Sequence, residues 1–187
     1  MSDLALLWRE NRGRLGLKGP RAAEWLAAQG IDLPASPNTW THSQETIAAD
    51  ALLVARLGSA EYFLEDGPAG TTLERMAPTL GNGVPGVYPV LREDYAFHLG
   101  GEGAHDVLAQ VCNVNFAALS LASRPLIMTL MVGVAVLVVP HSVVRGVDDG
   151  AERGYRIWCD PTFGPYLGES LGTVVIECGG RYTGVSG

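Results

Sequence analysis

The sequence predicts an α+β fold built from two pseudo-related halves, about residues 13–80 and 95–172 of one domain spanning 1–187. Three observations carry this. Short helical patterns alternate with strand patterns along the chain, as in α+β proteins. Leu126–Pro140 (LIMTLMVGVAVLVVP) is an uncharged run whose valines favour strands over helix. An internal repeat relates the halves at an offset of 82 (99 − 17). It sets Leu17 on Leu99, Gly19 on Gly101, Ala22 on Ala104, Leu26 on Leu108 and Ala27 on Ala109, with acidic Glu24 on Asp106.

The first half opens with Arg14–Lys18, which alternates as a strand. Gly19-Pro20 then starts a helix that Gly30 closes. Leu33–Trp40 carries two prolines and reads as loop. Ala51–Leu57 and Glu61–Glu65 form a hairpin around Gly58-Ser59-Ala60. Asp66-Gly67-Pro68 starts a second helix through about Thr79, Gly81–Gly86 is loop, and Val87–Leu91 is a strand candidate. In the second half Tyr95–Leu99 is a strand, Gly100–Gly103 a turn and Ala104–Val111 a helix. The apolar run then divides into strands Leu126–Met131 and Val134–Val139 about a Val132-Gly133 turn. It is bounded by prolines and is shorter than the roughly 20 residues a membrane span needs. Asp148-Asp149-Gly150 is a turn signal, and Tyr155–Asp160 is the strand expected to pair with the hairpin. Pro161 starts a helix through Leu171, and Thr173–Cys178 reads as a last strand before a loose tail, 179–187. Both faces of the hairpin are apolar, so helices should cover one and the first half or a partner subunit the other. On that reading Met131→Asp or Val136→Asp would abolish soluble assembly.

Charged residues are 18% of the chain and hydrophobic ones 47%, which points to apolar surface covered by another subunit. A formal net charge of −7 disfavours nucleic-acid binding. Cys112, Cys159 and Cys178 are widely spaced and odd in number, which fits free thiols in a reducing compartment. No export signal is visible near the N-terminus, so a cytoplasmic location is expected.

Candidate chemistry is thin. Gly168–Gly172 (GESLG) matches the nucleophile-elbow pattern, but a helix precedes Ser170, and the last histidine, His141, comes before the serine. Leu99–Asp106 (LGGEGAHD) is a Gly-rich strand-to-helix turn without the third glycine or the Lys-Ser/Thr of phosphate-binding loops. His42, His98, His105 and His141 show no helical metal spacing, and His98 is expected on the strand face away from the core. Glu61, Glu65 and Asp66 follow no spacing that singles out an acid–base pair. Asp160 or Thr162 reads as a helix N-cap. Tyr62, Phe63, Trp158 and Phe163 read as core or interface anchors. These residues assign no catalytic, cofactor-binding or metal site to this chain.

Two stretches resemble a known family. They are Ala55–Glu65 (ARLGSAEYFLE) and Ala96–Val114 (AFHLGGEGAHDVLAQVCNV), the latter continued by the apolar hairpin and by Tyr155–Leu171 (YRIWCDPTFGPYLGESL). The pattern L-x-G-x-G-A-x-D-V-L followed by a cysteine, two apolar strands and a strand running into an aromatic-rich helix resembles the gamma subunit of heterotetrameric sarcosine oxidase and N-methylglutamate dehydrogenase-type complexes. The wider superfamily is that of the aminomethyltransferase (T-protein), whose duplicated ferredoxin-like unit, strand-helix-strand-strand-helix, accords with the repeat.

The resemblance implies a non-catalytic accessory subunit of a flavin-dependent, N-demethylating oxidase or dehydrogenase. The partners it implies are alpha, beta and delta subunits. NAD and the tetrahydrofolate-binding domain would lie on alpha, the flavin chemistry of FAD and FMN on beta, and zinc on delta. Formaldehyde or methylene-tetrahydrofolate would be formed by those partners. The alternative is a free-standing folate-binding or aminomethyl-transferring protein of the same superfamily. A folate-dependent RNA-modifying relative is disfavoured by the acidic balance.

Overall fold

A computed structural model describes residues 4–8, 12–43, 51–143 and 152–183. In chain order the elements begin with β1 (Ala5–Trp8), β2 (Arg14–Lys18), α1 (Ala22–Ala28) and β3 (Thr39–Ser43). Then come β4 (Leu52–Gly58), β5 (Glu61–Glu65), α2 (Thr72–Gly81) and β6 (Tyr88–Val90). The rest are β7 (Tyr95–Gly100), α3 (Ala104–Val111), β8 (Ile127–Met131), β9 (Val134–Val143), β10 (Glu152–Cys159), α4 (Gly164–Glu177) and β11 (Arg181–Thr183). They form two compact units, residues 12–93 and residues 1–11 with 94–187. No helix among the described residues is long and apolar enough to cross a membrane.

The unit of residues 12–93 holds an antiparallel sheet in the order β3-β4-β5-β2-β6. Ala22, Trp25 and Leu26 lie at the i, i+3, i+4 positions of α1 and are buried. They join Leu17, Val54, Tyr62, Leu64 and Met76 in one core. Helix α2 starts at Thr72 and not at Asp66. The intervening loop instead returns the buried Asp66 to the helix start, where its carboxylate accepts the Leu73 N–H at 3.2 Å. Burial raises the Asp66 pKa, against the opposing pull of the Leu73 and Thr72 N–H groups. Glu65 is buried beside Arg14, 2.5 Å away, with Arg12 at 4.0 Å. Glu61 pairs with Lys18 at 3.1 Å. All three acids are thus engaged in holding the fold.

The other unit orders its sheet β11-β1-β7-β10-β9-β8, antiparallel except for β1 with β11. Helices α3 and α4 bury the face carrying Leu99, Tyr155, Ile157, Val136, Val138 and Met131. Val132 and Gly133 turn β8 into β9 with φ of 42° and 85°. Two positive φ values suit a two-residue turn whose twist matches the strands. Left-handed backbone is unfavourable for valine; here the Val132 N–H is tied to the Val111 carbonyl at 3.0 Å, the end of α3. The hairpin pairs with β10 as expected. It is not buried on both faces along its length, because β8 is a sheet edge. Met128 and Leu130, on the face away from the helices, are 55% and 59% exposed.

Other boundaries move. Thr39–Ser43 is a strand, Ala5–Trp8 is β1, and Thr173–Glu177 continues α4. β9 runs through Pro140, and Arg181–Thr183 of the expected loose tail is strand β11. Asp148-Asp149-Gly150 and the tail's last four residues lie outside the described residues. The repeat survives in the packing: Leu17 and Leu99, Ala22 and Ala104, and Leu26 and Leu108 are all buried. Gly19 and Gly101 both take positive φ, 126° and 101°. Each unit places three strands between its helices, β3–β5 and β8–β10, so the observed order adds a strand to the expected strand-helix-strand-strand-helix repeat.

Helix α4 lies close to its sheet because Gly164, Gly168 and Gly172 recur every four residues on one face. A Cβ at Gly172 would stand 2.4 Å from the Tyr182 ring, and one at Gly164 2.3 Å from that of Tyr95. Gly172→Ala should therefore destabilise the chain by about 1–3 kcal/mol through overpacking. Gly179→Ala meets no neighbouring atom but sits at φ 78°, so its cost is backbone strain alone. Denaturant unfolding of both variants separates the two effects.

Candidate functional site

The residues that converge in the second unit are His105, Arg153 and Tyr155. His105 is the second residue of α3, placed there by the Gly101–Gly103 turn. Tyr155 stands on β10 opposite Leu99, with its ring wholly buried. The Tyr155 hydroxyl lies 2.5 Å from His105 Nε2. Arg153, two residues earlier on the same face, places its charge so that it opposes the upward shift of the Tyr155 pKa. It donates to the carbonyls of Phe116 and Leu119, both at 3.1 Å, and so ties down the segment after α3. Phe116 packs edge-on to Tyr155, with ring centroids 5.5 Å apart.

Burial chiefly lowers the His105 pKa, and the Arg153 charge adds to this against Asp106. Burial raises that of Tyr155, against Arg153. Both shifts favour a neutral pair in which the phenol donates to an unprotonated Nε2. Two depressions share His105 as a wall. One of about 450 Å³ runs between α3 and residues 113–117. The other, about 340 Å³, lies between the Gly101–Gly103 turn and Arg153 and Tyr155. The arrangement offers a hydrogen-bonding wall with one cationic group. Sequence reading missed it because residues 50 positions apart meet only through sheet register and the helix start.

The remaining candidates have structural duties. Ser170 lies inside α4 and donates to the Tyr166 carbonyl at 2.8 Å, so the GESLG pattern is a helix surface. The turn in Leu99–Asp106 uses positive φ at Gly101 and Gly103 to start α3. Asp160 caps the turn leading into α4 by accepting the Thr162 N–H at 2.9 Å. His98 lies on the sheet face opposite the helices, as expected, with its Nε2 3.3 Å from that of His141. His42 stands on β3, edge-on to Trp40. Tyr62, Phe63 and Trp158 are buried, whereas Phe163 is 51% exposed. Cys112, Cys159 and Cys178 are free thiols. Burial, with Asp94 and Asp160, pushes the Cys159 pKa up to about 11, so it stays protonated. No group of three His, Cys, Asp or Glu among the described residues could hold a metal.

No protein-family model and no curated protein sequence matches this chain. Solved structures do. Heterotetrameric sarcosine oxidase from Corynebacterium sp. U-96, in complex with pyrrole 2-carboxylate, has a chain that matches with a TM-score of 0.66 at 20% identity, over 96% of this chain and 87% of that one. The glycine cleavage system aminomethyltransferase T from Bartonella henselae matches with a TM-score of 0.63 at 17% identity, over 91% of this chain and 45% of that one. The fold is theirs. This chain therefore has the mixed α and β, two-sheet architecture found in both proteins, and spans less than half the length of the aminomethyltransferase.

The lowered His105 pKa carries a sign. Below the ordinary value of about 6.5 the unfolded chain takes up the proton before the folded one. His105 therefore contributes a loss of stability as pH falls from about 6.5 toward its folded pKa. Comparing melting temperatures at pH 7.5 and 5.5 should show a smaller acid-induced drop for His105→Gln than for the wild type. An equal drop in both would contradict the assignment.

Proposed function

We propose that this chain is a non-catalytic, gamma-type accessory subunit of a heterotetrameric, flavin-dependent enzyme that oxidatively demethylates an N-methyl amino acid. One observation carries the reading. The match to the sarcosine oxidase chain extends over nearly all of both chains, so the two are of similar size as well as fold. The quoted sequence stretches support it, since Ala55–Glu65 supplies the β4–β5 hairpin of the unit of residues 12–93, and Ala96–Val114 with Tyr155–Leu171 supplies turn and packing residues of the second unit. In this reading the partners are alpha, beta and delta subunits. FAD, FMN, NAD, tetrahydrofolate and zinc belong to them, as do the steps that release formaldehyde or form methylene-tetrahydrofolate. The His105–Tyr155–Arg153 cluster then holds the turn before α3 and the segment after it in place.

Assembly needs a surface, and β8 supplies a candidate. Ile127–Met131 is an uncharged edge strand with Met128 and Leu130 open to solvent. Edge strands of this kind normally carry charge, proline or a cover. Met131 and Val136, in contrast, are core residues at 0% and 5% exposure, so aspartate there would disrupt the unit itself rather than report on assembly.

Co-expression with the products of adjacent reading frames tests the proposal. The chain should co-purify with a flavoprotein whose flavin absorbance follows it through size exclusion. A chain that elutes alone, with all flavin elsewhere, would overturn the reading. Leu130→Asp should leave the melting temperature of the isolated chain nearly unchanged, since exposed substitutions are worth within about 0.5 kcal/mol. The same change should sharply reduce recovery of the flavoprotein with the chain.

A further inference from the structure

His98 and His141 come together on the sheet face away from α3 and α4. His98 stands on β7 and His141 on β9, with β10 between them. Gly154 of β10 is the cross-strand neighbour of His141, so it puts no side chain between the rings. The two Nε2 atoms are 3.3 Å apart, and the ring planes are inclined at 54°.

The tautomer of His141 follows from its other nitrogen. Nδ1 lies 3.4 Å from the Val139 carbonyl oxygen. A carbonyl only accepts, so Nδ1 carries the proton and Nε2 presents its lone pair toward His98. Metal-binding histidines are oriented in this way, with the second nitrogen donating to a backbone carbonyl. Arg156, opposite His98 on the same face, holds its guanidinium over the Trp158 ring, 5.4 Å from the centroid, on the side away from Gly154.

The separation has a chemical meaning. Two imidazole nitrogens on a tetrahedral ion, each at about 2.0–2.1 Å, stand roughly 3.3–3.4 Å apart. The geometry points to a two-histidine chelate for a divalent transition ion, with Zn²⁺ the best match. Imidazole suits Zn²⁺, Cu²⁺ and Ni²⁺, and does not suit Mg²⁺ or Ca²⁺. Binding involves no change of oxidation state. The ring proton of His98 moves from Nε2 to Nδ1, both rings stay neutral, and two Zn–N bonds replace one N–H···N contact. The family resemblance gives this chain no metal, and this site does not depend on the accessory-subunit reading.

The test is a Zn²⁺ titration of the full chain, followed through the imidazole nitrogen signals of its four histidines. Two of the four should shift together and saturate at one ion per chain while the other two stay in place. This wild-type result needs no variant to fold. His98→Asn and His141→Asn should each weaken binding at least tenfold, and His42→Asn should leave it unchanged. Shifts spread over all four histidines, the absence of saturation, or single variants that bind Zn²⁺ as the wild type does would each overturn the site.

Discussion

The close approach of α4 to its sheet is the constraint on which the second unit depends. Gly164, Gly168 and Gly172 make one face of the helix bare backbone, and the rings of Tyr95, Phe97 and Tyr182 fill it. At normal packing density a single methyl group on that face has nowhere to go. Because α4 lies so close, the chain leaving it can return as β11 alongside β1, where the Arg181 N–H reaches the Leu4 carbonyl at 3.0 Å. Leu4 in turn packs against Gly180, where a Cβ would stand 2.6 Å from its side chain. The N-terminal strand is thereby tied into the unit formed by the C-terminal half of the sequence.

Polar groups inside the two units are handled differently. In the first, Glu65 meets Arg14 and Asp66 meets the start of α2. Removing one partner of such a buried ion pair typically costs about 3–5 kcal/mol, because the other charge is stranded. In the second, the Tyr155 hydroxyl is satisfied by His105. The repeat makes the contrast legible. Tyr62 stands opposite Leu17 as Tyr155 stands opposite Leu99, and it too is buried. Its hydroxyl has no partner among the described residues, and the position that corresponds to His105 is Ala23. The shared register sets the tyrosine in both units, and a single helix residue decides whether its hydroxyl is paired.

At 17–20% identity, the likeness to aminomethyltransferase and sarcosine oxidase chains is one of backbone arrangement. A fold can host many activities, so role has to be argued from sites and surfaces. Here the pocket residues are bound up in one another: Arg153 in three backbone carbonyls, Tyr155 in His105. Among the described residues, the uncharged edge strand β8 is an apolar surface whose Met128 and Leu130 stand exposed.

Local chemistry in the sequence determined the strands flanking Val132-Gly133, the Gly100–Gly103 turn, a cap at Asp160 or Thr162, and the buried positions shared by the two halves. Each rests on a property carried by a few adjacent residues: positive φ, a short polar side chain, or apolar periodicity. Thr173–Cys178 reads as strand in isolation because of its β-branched residues, while the bare glycine face of α4 keeps Thr173–Glu177 helical against the sheet. Strand order, the exposed outer face of β8 and the helix-capping role of Asp66 needed the tertiary structure, since neighbours in a sheet are set by register and not by distance along the chain. The same holds for both histidine sites. His105 and Tyr155 are 50 residues apart and His98 and His141 are 43 apart, and no spacing rule in one dimension joins them.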